Sequence, residues 1–309
     1  MDDLEQLRLL GRGAMGSVHL MRRAADGAQF ALKKIAIPTH EDREVALQEV
    51  RIMQRLRHAH IVCFEDAATS PTTGELHILM EFCPKGDLGA LLERQRRASK
   101  RLAEADACSM LRQLTSALAY VHARRVVHRD IKSPNVFVCD AEPGHVFVKL
   151  GDFGVAKALE STKALACTQC GTPYYLPPEV CSGTPYDAKA DIWSLGVLAY
   201  EMLALRYPFR AATLPALVMQ IVGGKYSPLP SAYSGELRTL VGSLLRQLPR
   251  DRPAADQLLR HRLLRPPPGT AAAEPPPSVT VATAPPAAGP SSSTMEVSSQ
   301  AGDFAPPPA

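Results

Sequence analysis

The chain holds one tryptophan and only 6% aromatic residues, and it contains no apolar run long enough to cross a bilayer. Its longest apolar stretch, Ile192 to Leu205, is broken by Ser194 and Glu201, so a buried helix is expected there and no membrane partner. The start, Met1-Asp2-Asp3, is acidic and lacks a basic segment followed by an apolar one, which predicts no secretory leader. Neither end carries a lipidation motif. No dense basic run accompanies the net charge of +4, which argues against nucleic acid as a partner. Internal repeats and coiled-coil heptads are absent. Seven cysteines without a leader point to a reducing compartment, with cytoplasm as the expected location. Cys167-Thr168-Gln169-Cys170 would need a second ligand pair to hold zinc, and only Cys181 follows nearby. Chance proximity is the plainer reading, with a redox pair as the alternative.

Residues 266–309 lack lysine and arginine altogether. Twelve of these 44 residues are proline, and most others are Ala, Ser, Thr or Gly. Such a composition cannot bury enough apolar surface to offset its ordering entropy, so a disordered tail is predicted. Arg265-Pro266-Pro267-Pro268 is a weak match to a polyproline ligand; proline-binding partners of the tail are therefore an open expectation. The remainder carries thirty-five basic and twenty-eight acidic residues, a net +7 that suits anionic small-molecule partners such as nucleotides.

What is present is enough for a sizeable core or for two lobes sharing a cleft: 309 residues, 46% of them apolar. Residues 4–83 read mainly as short strands (Leu7–Leu10, Val18–Met21, Gln29–Leu32, Leu76–Phe82) interrupted by one helix from about Asp42 to Arg57. From Asp87 to Leu264 the pattern is mostly helical, clearest over Ala103–Arg124, where Met110, Leu111, Leu114, Leu118 and Val121 share a face. Val126–Phe153 carries short β-rich runs around polar loops.

The chemistry collects at four places. Gly11-Arg12-Gly13-Ala14-Met15-Gly16-Ser17-Val18 lies between two strand-like runs, where glycines let backbone N–H groups face an anion. A dinucleotide-binding loop would open a helix after its last glycine, whereas β-prone Val18-His19-Leu20 follows here. An ordinary glycine-rich hairpin stays open on this evidence alone. Ala31-Leu32-Lys33 buries a lysine in an apolar strand, which is unfavourable unless the charge is paired, and Glu49 on the following helix can supply the partner. Lys34 falls on the opposite face. His128-Arg129-Asp130-Ile131-Lys132-Ser133-Pro134-Asn135 and Asp152-Phe153-Gly154 bring oxygen donors for a hard cation together with two cationic side chains. Phosphoryl transfer asks for this mixture, positioning plus charge neutralisation.

Taken in this order, these residues resemble the signature set of the eukaryotic protein kinases. The resemblance extends from Leu4 to Leu264 and takes in Gly171-Thr172-Pro173-Tyr174-Tyr175, Pro177-Pro178-Glu179, Asp191-Ile192-Trp193-Ser194-Leu195-Gly196 and Arg252-Pro253. Pro178 stands where the family usually has alanine. Leu79–Cys83 with Gly86-Asp87-Leu88, Asn135-Val136-Phe137, the glycine before Asp152, and Leu214–Val218 with Ile221 are similar to the NIMA-related subgroup.

The resemblance implies an α+β bilobal fold: a kinase domain over 4–265, with a small antiparallel sheet lobe carrying one helix (4–83), a larger helical lobe (84–265) and the tail 266–309. It implies transfer of the γ-phosphate of ATP to Ser/Thr hydroxyls of protein substrates, with Mg2+. Asp130 would orient the acceptor hydroxyl and take its proton late. Lys132 would contact the γ-phosphate, Lys33 held by Glu49 the α- and β-phosphates, and Asn135 and Asp152 the metal. Leu10, Gly11, Gly13, Gly16, Val18, Ala31, Met80, Glu81, Cys83 and Phe137 would bind the nucleotide. Phosphorylation of Thr168, paired by Arg129, would activate the enzyme, and Thr172 would pack near Asp130. Met53, Phe64, His128 and Phe153 would form an apolar spine, a surface hairpin would span Asp140–His145, and Glu179 would pair with Arg252. Relatives favour a large apolar residue three positions before the acceptor and act at nuclear, centrosomal or ciliary sites. Oligomeric state stays open, a monomer being the plain expectation. A pseudokinase scaffold, a small-molecule kinase of the same fold and a tail-mediated interaction protein are the alternatives.

Overall fold

The computed structural model describes residues 3–13, 16–37, 39–139, 146–152 and 173–265. The amino-terminal part is one antiparallel sheet of five strands: β1 (Leu4–Gly13), β2 (Gly16–Arg23), β3 (Gln29–Ile35), β4 (Phe64–Thr69) and β5 (Leu76–Glu81), in the order β1-β2-β3-β5-β4. Strand β3 sits at the centre, with Val18 opposite Lys33 on one side and Ala31 opposite Met80 on the other. Sequence reading overlooks β4, whose burial is confined to Phe64 at its start, followed by exposed Glu65 and Asp66. Charges on an edge strand discourage pairing with another chain and also erase the alternation that marks a strand.

Helix α1 covers His40–Met53, whereas Asp42–Arg57 is expected from periodicity. It begins earlier because Thr39 caps it, its Oγ1 accepting from the Asp42 N–H at 3.1 Å, with Glu41 and Asp42 beside the positive end of the helix. It ends earlier because the Arg55 and Leu56 N–H groups turn back to the carbonyls of Ile52 and Met53. Leu56 then leaves the helix to enter the core of the larger lobe.

That lobe contains α2 (Leu88–Arg97), α3 (Glu104–Ala123), a short ribbon of β6 (Val136–Cys139) and β7 (Phe147–Leu150), α4 (Pro178–Cys181), α5 (Ala188–Ala204), α6 (Leu214–Gly223), α7 (Gly235–Leu244) and α8 (Ala255–Leu258). Helix α5 is buried on all sides from Ala190 to Leu203, as a helix apolar around its whole circumference must be. At Gly196 a Cβ would lie 2.7 Å from that of Leu244, so only glycine lets α5 and α7 approach this closely. The expected α+β, two-lobed architecture is therefore present. Among the described residues no helix is long and apolar enough to cross a membrane. The expected hairpin at Asp140–His145 lies outside the described residues, although β6 and β7 on either side of it pair antiparallel.

Candidate active site

The glycine-rich segment is the turn between β1 and β2, with Gly13 opposite Gly16. Its glycines differ in kind. A Cβ on Gly16 would fall 1.8 Å from the Lys34 carbonyl oxygen, so that position is glycine because β3 passes against it. A Cβ on Gly11 or Gly13 would meet no protein atom within 4 Å. Packing does not demand glycine there, which leaves room for a ligand as the reason. Leu10 and Val18, half-buried, flank the segment.

Lys33 reaches from β3 to Asp152 just beyond β7, with Nζ 2.7 Å from Oδ1. The side chain of Glu49, the expected partner, lies outside the described residues, though its backbone belongs to α1. Asp152 adopts φ 53° and Arg129 φ 69°, left-handed conformations that non-glycine residues adopt at some cost in strain. Preceding Asp152, Gly151 donates its N–H to the Asn135 carbonyl at 2.9 Å, and its own carbonyl lies 3.0 Å from His128 Nε2. A Cβ at Gly151 would stand 2.7 Å from the Phe137 ring and 2.9 Å from Val62. Gly151→Val is therefore expected to force the Phe137 ring aside, destabilising the fold by about 1–3 kcal/mol. Thermal unfolding checks this, and an unchanged midpoint would show that the ring moves freely.

Asn135, Asp130 and Lys132 close the circle. Asn135 Nδ2 donates to both the carbonyl and the Oδ2 of Asp130 at 2.8 Å, and Lys132 Nζ lies 2.8 Å from the same Oδ2. Lys33, Asp152, Gly151, Asn135, Asp130 and Lys132 thus form one contiguous chain of contacts, although they span 119 positions between Lys33 and Asp152. With its nitrogen turned to Asp130, Asn135 keeps an amide oxygen for a cation, and Asp152 offers a carboxylate. Two hard oxygen donors and no all-protein cage suit magnesium, which completes its shell with water and substrate phosphates.

The loop is held from below by Asp191, which sequence reading places in a family motif without assigning it a role. Fully buried on α5, it accepts N–H bonds from His128 at 2.8 Å and Arg129 at 3.0 Å and also meets His122 Nε2 and the Tyr186 hydroxyl. A carboxylate taking two backbone donors fixes the strained Arg129 without help from local sequence. His128 is wholly buried, and burial holds its pKa below the ordinary histidine value, favouring the neutral ring.

Met80 and Glu81 end β5, and Cys83 follows in the hinge segment that runs from the sheet to α2. The Glu81 N–H donates to the Cys63 carbonyl at 2.9 Å. A second determinant is absent from the sequence reading. Lys149 on β7 is buried and places Nζ 2.5 and 2.7 Å from the two oxygens of Glu81, which also accepts from the Cys63 N–H. This pair ties the hinge to the floor of the cleft beneath Phe137, the cross-strand neighbour of Lys149. Only a lysine in the apolar run Phe147–Leu150 could have signalled it. Ala31 is buried opposite Met80, and Phe137 lies across the cleft with its backbone bridged to Asp87. Behind Met80 a small cavity of about 30 Å³ lies against Lys33, Asp152, Met53 and Phe64. Of the expected spine, Met53 packs against the cores of both lobes, Phe64 belongs to the upper one and His128 lies below; Phe153 falls outside the described residues.

Beside the catalytic loop, Tyr175 donates to Glu201 and accepts the Ser133 N–H at 3.1 Å. Burial raises the pKa of Glu201, opposed by the hydroxyl of Tyr175. The expected Glu179–Arg252 pair is buried and bidentate, both bonds 2.7 Å. Gly154, Cys167, Thr168, Cys170 and Thr172 lie outside the described residues.

The protein kinase domain family matches residues 4–264. The chain is 39% identical over 262 residues to the probable serine/threonine-protein kinase nek3 of Dictyostelium discoideum, covering 84% of this chain and 23% of that protein. It is 39% identical over 259 residues to the serine/threonine-protein kinase Nek3 of Mus musculus, covering 84% and 49%. It is 36% identical over 267 residues to the serine/threonine-protein kinase Nek5 of Homo sapiens, covering 85% and 37%. The chain spans less than half the length of these relatives. A two-lobed fold, a cleft joining Lys33, Asp152, Asn135 and Asp130, and a family match over 4–264 lead to one conclusion: the chain belongs to the protein kinase domain family.

Proposed function

We propose that this chain is a serine/threonine protein kinase that transfers the γ-phosphate of ATP to hydroxyls of protein substrates. The observation that carries the reading is the unbroken contact path Lys33–Asp152–Gly151–Asn135–Asp130–Lys132, which sets two cations, two metal donors and one carboxylate around a single space. Magnesium, when bound, supplies neutralisation of phosphate charge, and Asn135 and Asp152 would hold it. Lys33 would bind the inner phosphates, in place of or alongside its present bond to Asp152. Lys132 would face the transferred group, and Asp130 would orient the acceptor hydroxyl and receive its proton as the bond to phosphorus forms. The adenine would lie between Ala31, Val18 and Met80 above and Phe137 below, bonded to the backbone of Glu81 and Cys83. Lysine at position 132 and the threonine of Gly171-Thr172-Pro173 support Ser/Thr acceptors.

A positional-scanning peptide library with γ-labelled ATP tests this. Label should appear on Ser and Thr only, vanish with a magnesium chelator and fall to background in Asp152→Asn. Absence of transfer, or transfer indifferent to Asp152, would overturn the reading. Thr168→Ala should lower turnover several-fold if a phosphate there orders the loop through Arg129; unchanged turnover would remove that switch.

A further inference from the structure

A second cavity, of about 590 Å³, opens on the larger lobe beyond the carboxyl end of α5. Arg206, Arg210 and Lys225 border it together with Tyr200, Tyr207 and Tyr226, and among the described residues no Asp or Glu lines it. Some exposed arginines elsewhere have an acidic partner beside them, Arg22 with Glu5, Arg96 with Glu93, Arg260 with Asp256 and Arg262 with Glu236. Among the described residues, none of the three cations at the cavity has an ion pair. Three like charges converging on one concavity repel one another and raise the local concentration of anions.

The frame beneath them is rigid. Helix α5 stops at Leu205 in a left-handed turn, φ 54°, and the Leu205 carbonyl accepts from Arg96 Nε at 2.8 Å. The Arg210 N–H donates to Gln220 on α6 at 3.1 Å, and the Tyr200 hydroxyl donates to the Ser227 carbonyl at 2.9 Å. Tyr226 meets both Tyr200 and Phe209 edge-on. An anion there would find cations whose backbones are already placed.

The cavity also adjoins the catalytic loop. The Tyr207 ring stacks on Tyr174, centroids 4.4 Å apart, and meets Tyr175 edge-on at 5.8 Å. Tyr175 bonds in turn to the Ser133 N–H, next to Lys132. The link from the cavity to the loop therefore runs through the rings of Tyr207 and Tyr175.

We propose that this cavity docks an acidic stretch of the protein substrate, away from the phosphorylated side chain. The proposal rests on the kinase reading, which it deepens by naming a substrate class. The carboxylates would form charge-assisted bonds with Arg206, Arg210 and Lys225, and the tyrosine rings would pack against the peptide between them.

The test compares peptides sharing one serine acceptor and carrying, on one side or the other, either a run of Asp and Glu or the same run as Asn and Gln. With the unaltered chain, the acidic series should show about tenfold lower KM at equal kcat, the size expected from three exposed ion pairs. That advantage should shrink in 0.5 M salt, where the Debye length is about 4 Å against about 8 Å at physiological ionic strength. Arg210→Glu combined with Lys225→Glu should abolish it while neutral peptides turn over as before; if that variant folds poorly, Arg210→Ala with Lys225→Ala should cut it to about twofold, the share of one remaining pair. Equal KM for the two series, or a preference surviving the charge reversal, would overturn the docking site while leaving the kinase reading intact. Fluorescence anisotropy of a labelled acidic peptide gives an independent readout. Binding lost in the reversed variant, with no peptide phosphorylated at all, would sustain the anion site and overturn its substrate role.

Discussion

Asp130→Asn is expected to reduce phosphate transfer by about 10²–10⁴-fold, the range for removing a positioned proton acceptor, while leaving nucleotide affinity within about twofold. The substitution keeps shape and an oxygen acceptor, so the bond from Asn135 Nδ2, now 2.8 Å to Oδ2, can persist and the loop can stay folded. What disappears is the negative charge that would hold the hydroxyl in line and accept its proton. Lys33 and Asp152 make their 2.7 Å contact without Asp130, so the inner phosphates should bind as before. Lys132, 2.8 Å from Asp130 in the free chain, would lose a partner and could turn more readily to the γ-phosphate. A modest gain in ATP affinity beside the loss of turnover therefore supports the assignment. Single-turnover transfer and calorimetric titration with ATP separate the two effects. Turnover within about tenfold of the parent would place the proton acceptor elsewhere.

Arg252→Ala is expected to destabilise the larger lobe by about 3–5 kcal/mol, the range for removing one partner of a buried ion pair. Arg252 is 1% exposed, yet its five N–H donors find five acceptors. Nη1 and Nη2 each bond one oxygen of Glu179 at 2.7 Å; Nη1 also reaches the Lys189 carbonyl, Nη2 that of Gln247, and Nε that of Arg246. Its guanidinium lies 5.0 Å from the Trp193 ring centre, and Trp193 stacks on Phe209. Truncation strands a buried carboxylate and three carbonyls and opens a cavity beside the tryptophan. Arg252→Lys should recover little, because an ammonium cannot serve five acceptors in a plane. Adding Glu179→Leu to Arg252→Ala should recover part of the loss, since the stranded charge goes with it. Denaturant midpoints read each step. A loss below about 1 kcal/mol for Arg252→Ala would mean that the pair contributes almost nothing beyond its own desolvation.

Legibility in the sequence divides along a physical line. The glycine turn, the lysine of β3 and the two acidic loops were readable because each states its chemistry within a few consecutive residues. Asp191 was visible only as part of a motif. Its role requires the backbone N–H groups of His128 and Arg129, more than sixty positions earlier, and backbone donors leave no mark in residue identity. Glu81 and Lys149 look like ordinary charges in separate strands until β5 and β7 are brought together. The shift of α1 has a local cause, the Thr39 cap, and was within reach of a closer reading. The loss of β4 was not, because an edge strand buries too little to impose a period.

By itself, the order of residues determined which groups the chain offers for the proposed phosphate chemistry and where most of its helices and strands lie, since both depend on nearest neighbours and on side-chain type. Tertiary structure alone decided which other charges are neutralised and which are left exposed: Lys149 against Glu81 and, among the described residues, no acid against Arg206, Arg210 and Lys225. The reason is that Coulomb and desolvation energies depend on separation in space and on burial, and neither quantity exists until distant segments have packed.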